Sequence, residues 1–478
     1  MTARARAILP ALLLVVVGLG ALRDLAALGG ALPWHAMDDF PDFYCAGRAL
    51  DAHASPYTYE PLRACEHEVN AGTTFRGQLF AGQPALAFPA PQPPYDFPPL
   101  MALAGLPFDA ARAIDALAIV AAVAAAVAAL AALGAPVALA AAALVLSAGY
   151  ASLATGQIVP FALLALVLCG LALAHGRDSF AGVLAALTLI EPTVGVPVAA
   201  VTLLFVPRAR TALVATIASL ALVTIALIGP RDTWLYLTGV LPAHAASEIH
   251  FPYQYSLTYA LAFLGASDSA ARVAGTASYV VMLIVAIVGA PRAARGLQAR
   301  ELIAFVPALC ALVGGAFLHQ EELCFAIPAA TIVALRSAGR ARAIAAAALC
   351  VLAIPWITVW SSKHLLLAAL FACIVILWSL RLNVRAAAPI FVAIGAALYG
   401  FELHPPHLPV PVAGSLHRYD PHELVQYAWR DYTQARSTRD PTWFAIKLPE
   451  WAALLATLAL ALRRERPVDG AAGEKGSA

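Results

Sequence analysis

Three aspartates, Asp38, Asp39 and Asp42, lie within five positions of the stretch "DDFPDFYCAGRAL", which follows an apolar N-terminal run almost directly. A carboxylate beside a bilayer can accept a proton from a water-borne hydroxyl while the other reactant stays in the lipid. An acidic residue just outside a membrane span can equally be a solvated boundary residue. The pattern therefore indicates a candidate site at the membrane edge, with both interpretations open.

Further polar residues cluster at or near the ends of apolar segments: Gln157 in "LATGQIVP", Glu191 in "LIEP", and His319, Glu321 and Glu322 in "FLHQEEL". An ionised side chain at membrane depth costs about 2.5–3.5 kcal/mol, so such a glutamate is usually paired or functional. A histidine in a short turn suits a phosphate partner or a proton carrier. Alternatively, Gln157 only caps or packs a helix end, and His319 is a turn residue without a ligand.

The composition is that of a membrane protein: 62% of the residues are hydrophobic and only 12% are charged, against about a quarter in soluble chains. Apolar runs such as "IDALAIVAAVAAAVAALAAL" have the length that a membrane-spanning helix needs. We expect an all-α polytopic protein with about twelve spans. The chain lacks a glycine-rich phosphate loop, HExxH and CxxC, so we expect no cofactor and no nucleic-acid partner; a divalent metal stays open.

Arginine-rich gaps indicate the topology, because cytoplasmic loops carry an excess of basic residues. These gaps are "HGR", "RAR", "PRAARGLQAR", "RSAGRAR", "RLNVR" and "RRER". The intervening gaps are acidic or histidine-rich, and two of them, 31–109 and 402–448, are large. We place the two large loops outside the cell and both termini in the cytoplasm, with a retained first span.

Residues 180–206 lie between two basic gaps and must return to the side from which they start. The ten residues before Glu191 cover only about 15 Å of a ~30 Å hydrocarbon core. We therefore predict a bent pair of short helices with Glu191 at the tip. In this interpretation residues 1–462 form one transmembrane domain and 463–478 a short disordered cytoplasmic tail.

Cys45 and Cys65 share the first large loop, whereas the other five cysteines fall in or at the edges of apolar segments. In an oxidising compartment the two can form a disulfide. Two free thiols are the alternative, and we favour the disulfide.

The first large loop resembles glycosyltransferase family 87, the polyprenyl-phosphate-dependent, mannosyltransferase-type enzymes of the GT-C superfamily. Members share a D-F-x-x-F-Y-x-A-x-x-x-L pattern, then P-Y, then Y-P-P-L at the start of a span. The similar positions here are Asp39-Phe40, Phe43-Tyr44, Pro56-Tyr57, Phe97-Pro98-Pro99-Leu100, Gly156-Gln157, Ser256 in "YQYSL" and His319 in "LHQEEL". The likeness covers about residues 1–335.

The resemblance implies a GT-C-like fold and transfer of a hexose, mannose by analogy, from a polyprenyl-monophosphate carrier to a hydroxyl of a lipid or glycan acceptor. The reaction would occur on the outer face of a bacterial inner membrane. The family pattern implies Asp39 as the general base, while Asp42, at a variable position, is expected to be more solvated. The residues expected to bind substrate are Asp42, Tyr44, Arg48, Tyr95, Gln157, Glu191, Ser256, His319 and Glu322.

One position departs from the family, which usually has Lys-Pro where this chain has Glu191-Pro192. A carboxylate cannot hold a lipid phosphate as a lysine can. Either another cation serves here, or the donor differs, or the residue is structural. A transporter or flippase for a lipid-linked sugar is the alternative from another class, and a catalytically inactive scaffold is a third.

Overall fold

The computed structural model describes residues 37–70, 75–359 and 363–463, and these ranges are helical without a β-strand. The first span and most of the C-terminal tail lie outside them. Helicity follows from the apolar composition, because a helix satisfies its own backbone groups where lipid offers no hydrogen-bond partner.

The helices are numbered in chain order within those ranges. They are α1 Phe40–Asp51, α2 Tyr59–Val69, α3 Phe75–Gly82, α4 Phe97–Ala104, α5 Phe108–Ala132, α6 Val137–Leu144, α7 Ala151–Thr155, α8 Val159–Ala174, α9 Asp178–Leu187, α10 Pro192–Phe205, α11 Arg210–Leu235, α12 Leu241–Ser247, α13 Leu257–Phe263, α14 Asp268–Gly296, α15 Leu302–Gly314, α16 Ile327–Arg336, α17 Gly339–Leu352, α18 Trp356–Val359, α19 Lys363–Ser379, α20 Val384–Leu403, α21 Gln426–Ala435, α22 Thr442–Ala445 and α23 Leu448–Leu462. Short 3₁₀ or π turns occupy Pro94–Asp96, Val145–Tyr150, Thr188–Ile190, Pro207–Ala209, Tyr236–Val240 and Glu321–Ala326.

Six helical segments in the described part are long and apolar enough to cross a membrane, which indicates a membrane protein. Five further apolar helices have only 10–17 residues. The expected count of about twelve spans is therefore not confirmed. Part of the difference is that the expected first span lies outside the described residues, and part is that the helices Val159–Ala174, Pro192–Phe205 and Leu302–Gly314 are shorter than a full span.

The predicted hairpin is present as α9 and α10, which bend at Glu191. Its two ends lie side by side, because the hydroxyl of Ser179 donates to the carbonyl of Arg208 at 3.3 Å. A Cβ atom on Gly182 would clash with the carbonyl oxygen of Ala209. The end of α10 thus lies beside the start of α9, as expected for two helices that are each too short to cross a membrane.

The first large loop is mostly helical: α1 to α4 fall within it. A disulfide joins Cys45 in α1 to Cys65 in α2, with their Cα atoms 5.7 Å apart, as favoured from the sequence. Closing a loop of about this size contributes about 3 kcal/mol in the chain-entropy account. Helix α1 also packs closely on α4, since a Cβ on Gly47 would meet the Leu100 carbonyl oxygen at 2.7 Å.

The second large loop, 402–448, is anchored to the rest of the protein by α21, which packs against α12. The hydroxyl of Thr433 donates to the carbonyl of Ser247 at 2.5 Å. Further along, the side-chain amide of Gln83 donates to the carbonyl of Val412 at 2.5 Å. The two large loops therefore pack together beside one end of the helices.

We expect Gly182→Ala to destabilise the protein by about 1–3 kcal/mol, because the added methyl group would force α9 away from the backbone at Ala209. Gly400→Ala is the matched control: it lies in a helix, a methyl group added there would meet nothing within 4 Å, and alanine is the better helix former. Thermal unfolding of the purified proteins in detergent compares them. Equal melting temperatures for wild type and Gly182→Ala would show that α9 does not pack this closely on the turn that follows the hairpin.

Candidate active site

Asp39 immediately precedes α1 and is half-buried beside the turn between α7 and α8. Its backbone amide donates to the carbonyl of Thr155 at 2.6 Å. The side-chain amide of Gln157 donates to its carboxylate oxygen Oδ2 at 2.6 Å. Two residues predicted from separate motifs, 118 positions apart, thus meet directly, and the hydrogen bond orients the carboxylate.

The turn that presents Gln157 requires a glycine before it. Gly156 ends α7 in the left-handed conformation, with φ of +78°, which side chains with a Cβ rarely adopt. Its missing side chain also makes room for α1, because a Cβ there would lie 2.8 Å from the Cβ of Phe40. The local G-Q pair is therefore what brings Gln157 to Asp39.

A second polar cluster surrounds His319, which lies between α15 and α16. The Nε2–H of His319 donates to Oε2 of Glu248 at 2.7 Å, and the side-chain amide of Gln254 donates to the same oxygen at 2.7 Å. The indole N–H of Trp429 donates to the other oxygen, Oε1, at 2.7 Å. The imidazole is about one quarter exposed, whereas Glu248 is buried.

A short strand-like pairing positions this histidine. Gln254 and His319 form an isolated antiparallel bridge, and the amide of Tyr255 donates to the carbonyl of Leu318 at 2.6 Å. The side chain of Gln254 also accepts from the amide of Leu318 at 3.0 Å. Helix α21 supplies Trp429 from the second large loop.

The electrostatics of the pair favour the charged form of both partners. Burial opposes the imidazolium of His319, but the charges of Glu248, Glu322 and Glu321 and the hydrogen bond to Glu248 outweigh it and raise its pKa to about 10. Burial alone would raise the pKa of Glu248, yet the charge of His319 and the donated hydrogen bonds lower it to about 2. His319 is thus a fixed cation at neutral pH.

Glu191, at the tip of the hairpin, lies against Glu322 in a side-chain hydrogen bond and also contacts Thr193. A hydrogen bond between two carboxyl groups requires that one carry a proton. Oε2 of Glu322 in turn accepts from the backbone amide of His319 at 3.0 Å. Glu191 therefore has polar partners rather than facing lipid, as its charge at the hairpin tip predicted.

The two clusters share supporting elements. Helix α8, which begins just after Gln157, packs against both the Thr188–Ile190 turn and the Glu321–Ala326 turn. The phenol of Tyr253 lies within electrostatic range of Asp38, Glu321 and Arg436. The start of α1 and the His319 turn consequently lie near one another, although they are far apart in the sequence.

The other residues singled out from the sequence divide into two groups. Tyr95 joins the site, since its hydroxyl donates to the carbonyl of Leu189 at 2.6 Å and it lies within electrostatic range of Glu191. Arg48 instead contacts Glu68 at 3.3 Å, and both side chains are exposed. The Ser256 hydroxyl caps α13 by accepting from the amide of Tyr259 at 3.1 Å.

Two residues of α1 are buried in packing. Tyr44 is buried, stacks edge-on against Phe108 at 5.2 Å and donates to the Leu106 carbonyl at 2.8 Å. Asp42 was expected to be more solvated, and this is wrong: it is only 3% exposed. The reason is that the first part of α1 is enclosed by protein on every side, since each residue from Phe40 to Gly47 is buried.

Sequence reasoning missed Glu248, Gln254 and Trp429. Gln254 stands inside the quoted "YQYSL", and Glu248 lies a few residues before it, so an acidic residue beside that motif was the available signal. Trp429 lies far along the chain, and no local pattern points to it. Within the ranges that the structure covers, no group of three or more His, Cys, Asp or Glu side chains is arranged to hold a metal ion.

Comparison with known proteins gives one family. The family model of glycosyltransferase family 87 matches residues 93–319, a little under half of the chain, and this range includes Gln157, Glu191, Glu248 and His319. No curated protein and no solved structure matches the chain.

The ion pair predicts a pH dependence of stability. The raised pKa of His319 contributes stability that is fully present below about pH 6.5 and is lost as the pH rises through about 10. The lowered pKa of Glu248 contributes stability above about pH 4.5, which is lost as the pH falls toward 2. The melting-temperature difference between wild type and Glu248→Gln should therefore be largest between about pH 4.5 and 6.5 and shrink toward pH 10.

Glu68→Gln is the control, because it removes only an exposed ion pair, which contributes little at any pH. Thermal melts of the three proteins between about pH 5 and 10 provide the measurement. A wild-type advantage over Glu248→Gln that stays constant across this range would mean that His319 is not held as a cation by Glu248.

Proposed function

We propose that this chain, a glycosyltransferase whose residues 93–319 match the model of glycosyltransferase family 87, transfers a hexose from a polyprenyl-monophosphate sugar to an acceptor hydroxyl. Mannose is the sugar that the resemblance favours, and a membrane lipid or a glycan carries the acceptor hydroxyl. The single observation that carries the proposal is the half-exposed carboxylate of Asp39, oriented by Gln157 near the His319–Glu248 pair.

Asp39 is the general base in this proposal. An alcohol is a weak nucleophile, so a positioned carboxylate accepts its proton as the oxygen attacks the anomeric carbon. The bond from the anomeric carbon to the lipid phosphate oxygen breaks, and the phosphate leaves with the electron pair. Gln157 acts as a positioning residue, because its amide holds Oδ2 of Asp39 at 2.6 Å.

Positive charge is needed for the departing phosphate. His319 supplies it, since Glu248 keeps its imidazolium charged while the ring stays partly exposed. Arg436 is a second cation near the site: its Nε atom is buried without a hydrogen-bond partner among the residues that the structure describes, and its charge lies within electrostatic range of Tyr253. In this proposal these cations replace the lysine that the family usually carries at position 191.

The transporter or flippase considered from the sequence is not favoured, because the family match is to a transferase. The arrangement also suits chemistry at a helix edge. Asp39 and its orienting amide lie at helix ends, and His319 lies in a turn between helices. In this proposal the two large loops supply the surface for a water-borne acceptor.

Asp39→Asn keeps the size of the side chain but removes the proton acceptor. We expect it to reduce sugar transfer by at least about two orders of magnitude, the lower end of what a general base contributes. Asp51→Asn is the matched control, because Asp51 lies exposed at the other end of the same helix. The assay is transfer from polyprenyl-phosphate mannose to a lipid extract by purified protein in nanodiscs.

Melting temperatures of both variants separate lost chemistry from lost folding. Near-normal turnover of a folded Asp39→Asn protein would remove Asp39 from the base role. Loss of transfer in Asp51→Asn as well would indicate a general disturbance of α1 instead.

The proposed orientation places the site outside the cell. A single cysteine at Ser415, exposed in the second large loop, should react with a membrane-impermeant thiol reagent added to intact cells. One at Arg208, exposed beside the hairpin base, should react only after permeabilisation. The five unpaired native cysteines in the described ranges are buried, which keeps the background low. Labelling of position 208 but not of position 415 in intact cells would show that the protein has the opposite orientation in the membrane.

A further inference from the structure

A cavity of about 240 Å³ lies between α13 and the segment that joins α21 to α22, apart from the residues assigned to transfer. The side chains that line it include His250, Phe263, Ser437, Thr438 and Arg439. Pockets for drug-sized ligands have about 300–1,000 Å³, so this cavity has room for one small ring rather than for a larger molecule. Neither the family match nor the proposed reaction gives it a role.

The segment between α21 and α22 presents both donors and an acceptor to the cavity. The hydroxyl of Ser437 donates to the carbonyl of Gln434 at 2.8 Å, so its oxygen is left to accept a hydrogen bond. The hydroxyl of Thr438 accepts from the backbone amide of Asp440 at 3.1 Å, so its hydrogen is left to donate. The guanidinium of Arg439, on the exposed rim, makes no ion pair or hydrogen bond within the described ranges and is a second donor.

The imidazole of His250 supplies a second acceptor. Its Nε2 atom lies 2.9 Å from Oδ1 of Asp268, and a carboxylate only accepts hydrogen bonds, so Nε2 carries the hydrogen. In the neutral ring Nδ1 is then left to accept, and the side chain is 41% exposed. Donors and acceptors therefore alternate around the cavity. A hydroxyl group, which both donates and accepts, matches this mixture, whereas a phosphate would use only the donors.

The charges around the cavity also favour a neutral ligand. Burial alone would raise the pKa of Asp440, but hydrogen bonds from two backbone amides lower it, so this group is a carboxylate at neutral pH. Asp440 lies within electrostatic range of Tyr259, which also lines the cavity. Together with Asp268 it offsets the positive charge of Arg439 and opposes the approach of an anion.

Phe263 gives the cavity an apolar wall. Its half-buried ring stacks on that of Phe444, with the centroids 5.3 Å apart and 20° between the planes, and it also contacts the ring of Tyr259 at 6.0 Å. These two neighbours fix its orientation. An aromatic wall beside a few placed polar groups is the usual composition of a small-molecule site, and a sugar ring has both an apolar C–H face and hydroxyl groups around its edge.

The cavity shares its supporting segments with the transfer site. His250 follows Glu248 by two residues, so their Cα atoms are at most about 7.6 Å apart. Helix α21, which ends two residues before Ser437, carries Trp429, a hydrogen-bond donor to Glu248. The cavity and the charged pair of Glu248 and His319 are therefore neighbouring features, built on the same two segments of chain.

We propose that this cavity is a second carbohydrate-binding site, which holds one neutral sugar ring of a glycan or of a glycolipid headgroup. Arg439 and Thr438 donate to the oxygens of the sugar, and Ser437 and His250 accept from its hydroxyl groups. Phe263 packs against the apolar face of the ring. The site goes beyond the proposed reaction, because binding here involves none of the groups assigned to transfer.

The experiment measures binding of the methyl α-glycosides of mannose, glucose and galactose to the purified full-length protein by saturation-transfer NMR. The protein is kept in phosphatidylcholine nanodiscs, because detergents with sugar headgroups would compete. Arg439→Gln removes the rim donor, and His250→Phe removes the ring acceptor. At least one glycoside should bind the wild type saturably, and each variant should weaken that binding by about fivefold, since one hydrogen bond contributes on that order.

Arg272→Gln and His422→Phe are the matched controls, because both residues are exposed and neither lines the cavity. Both should leave binding unchanged. The octyl glycoside of the same sugar separates the two sources of the ligand. Tighter binding of the octyl form that is lost in Arg439→Gln would assign the site to a glycolipid headgroup, and equal affinities would assign it to a soluble glycan.

Four outcomes would overturn the proposal. Lack of saturable binding of any glycoside to the folded wild type would mean that the cavity holds no sugar. Binding that both cavity variants leave unchanged would place the sugar elsewhere, and equal loss in the controls would indicate a general surface effect. Displacement of the bound glycoside by glycerol 3-phosphate would identify an anion site.

Melting temperatures show which variants are folded, and if one cavity variant does not fold, the other decides. Sugar transfer is not part of the measurement. Failure of this site and failure of the proposed function are therefore distinguished.

Discussion

The buried pair of Glu248 and His319 is the interaction on which the rest of the site depends. Removing an ionised carboxylate from water costs several kcal/mol unless its oxygens are paired and hydrogen-bonded. Here the carboxylate receives hydrogen bonds from His319, Gln254 and Trp429. These donors come from three separate parts of the chain, so the charge can be buried only when the turn, the strand-like segment and the second large loop have all assembled.

The assembly of these three segments determines the balance of charge at the site. The acidic groups outnumber the cations around His319, and a side-chain hydrogen bond joins Glu191 to Glu322. The imidazolium of His319 is held charged by the carboxylates around it, and in the proposed function this charge takes the role of the lysine that the family usually carries at position 191. The partial exposure of the ring leaves this one charge accessible to a ligand while its counter-ion stays buried.

Breaks in helices bring these groups to one place. Asp39 begins a helix, Gln157 follows a left-handed glycine, Glu191 separates two short helices, and Glu322 lies in a 3₁₀ turn. In the middle of an apolar helix, a polar side chain faces either lipid, which offers no hydrogen-bond partner, or the protein core. At a helix end it can also bind the unpaired backbone groups and the water that reaches them. Interrupted helices are therefore a structural requirement of the proposed chemistry.

Residue composition and local pattern by themselves determined the helical class, the membrane location and the bent hairpin, because long apolar runs and a charged Glu-Pro break act within a few residues of chain. They also identified Asp39, Gln157, Glu191, His319 and Glu322. The tertiary structure alone decided which of them meet. Trp429 reaches Glu248 across 181 positions, Tyr44 is buried against Phe108 of another helix, and Asp42 is buried with the rest of the first part of α1. Contacts between distant segments leave no periodic trace in the sequence, since they depend on how whole helices and loops pack.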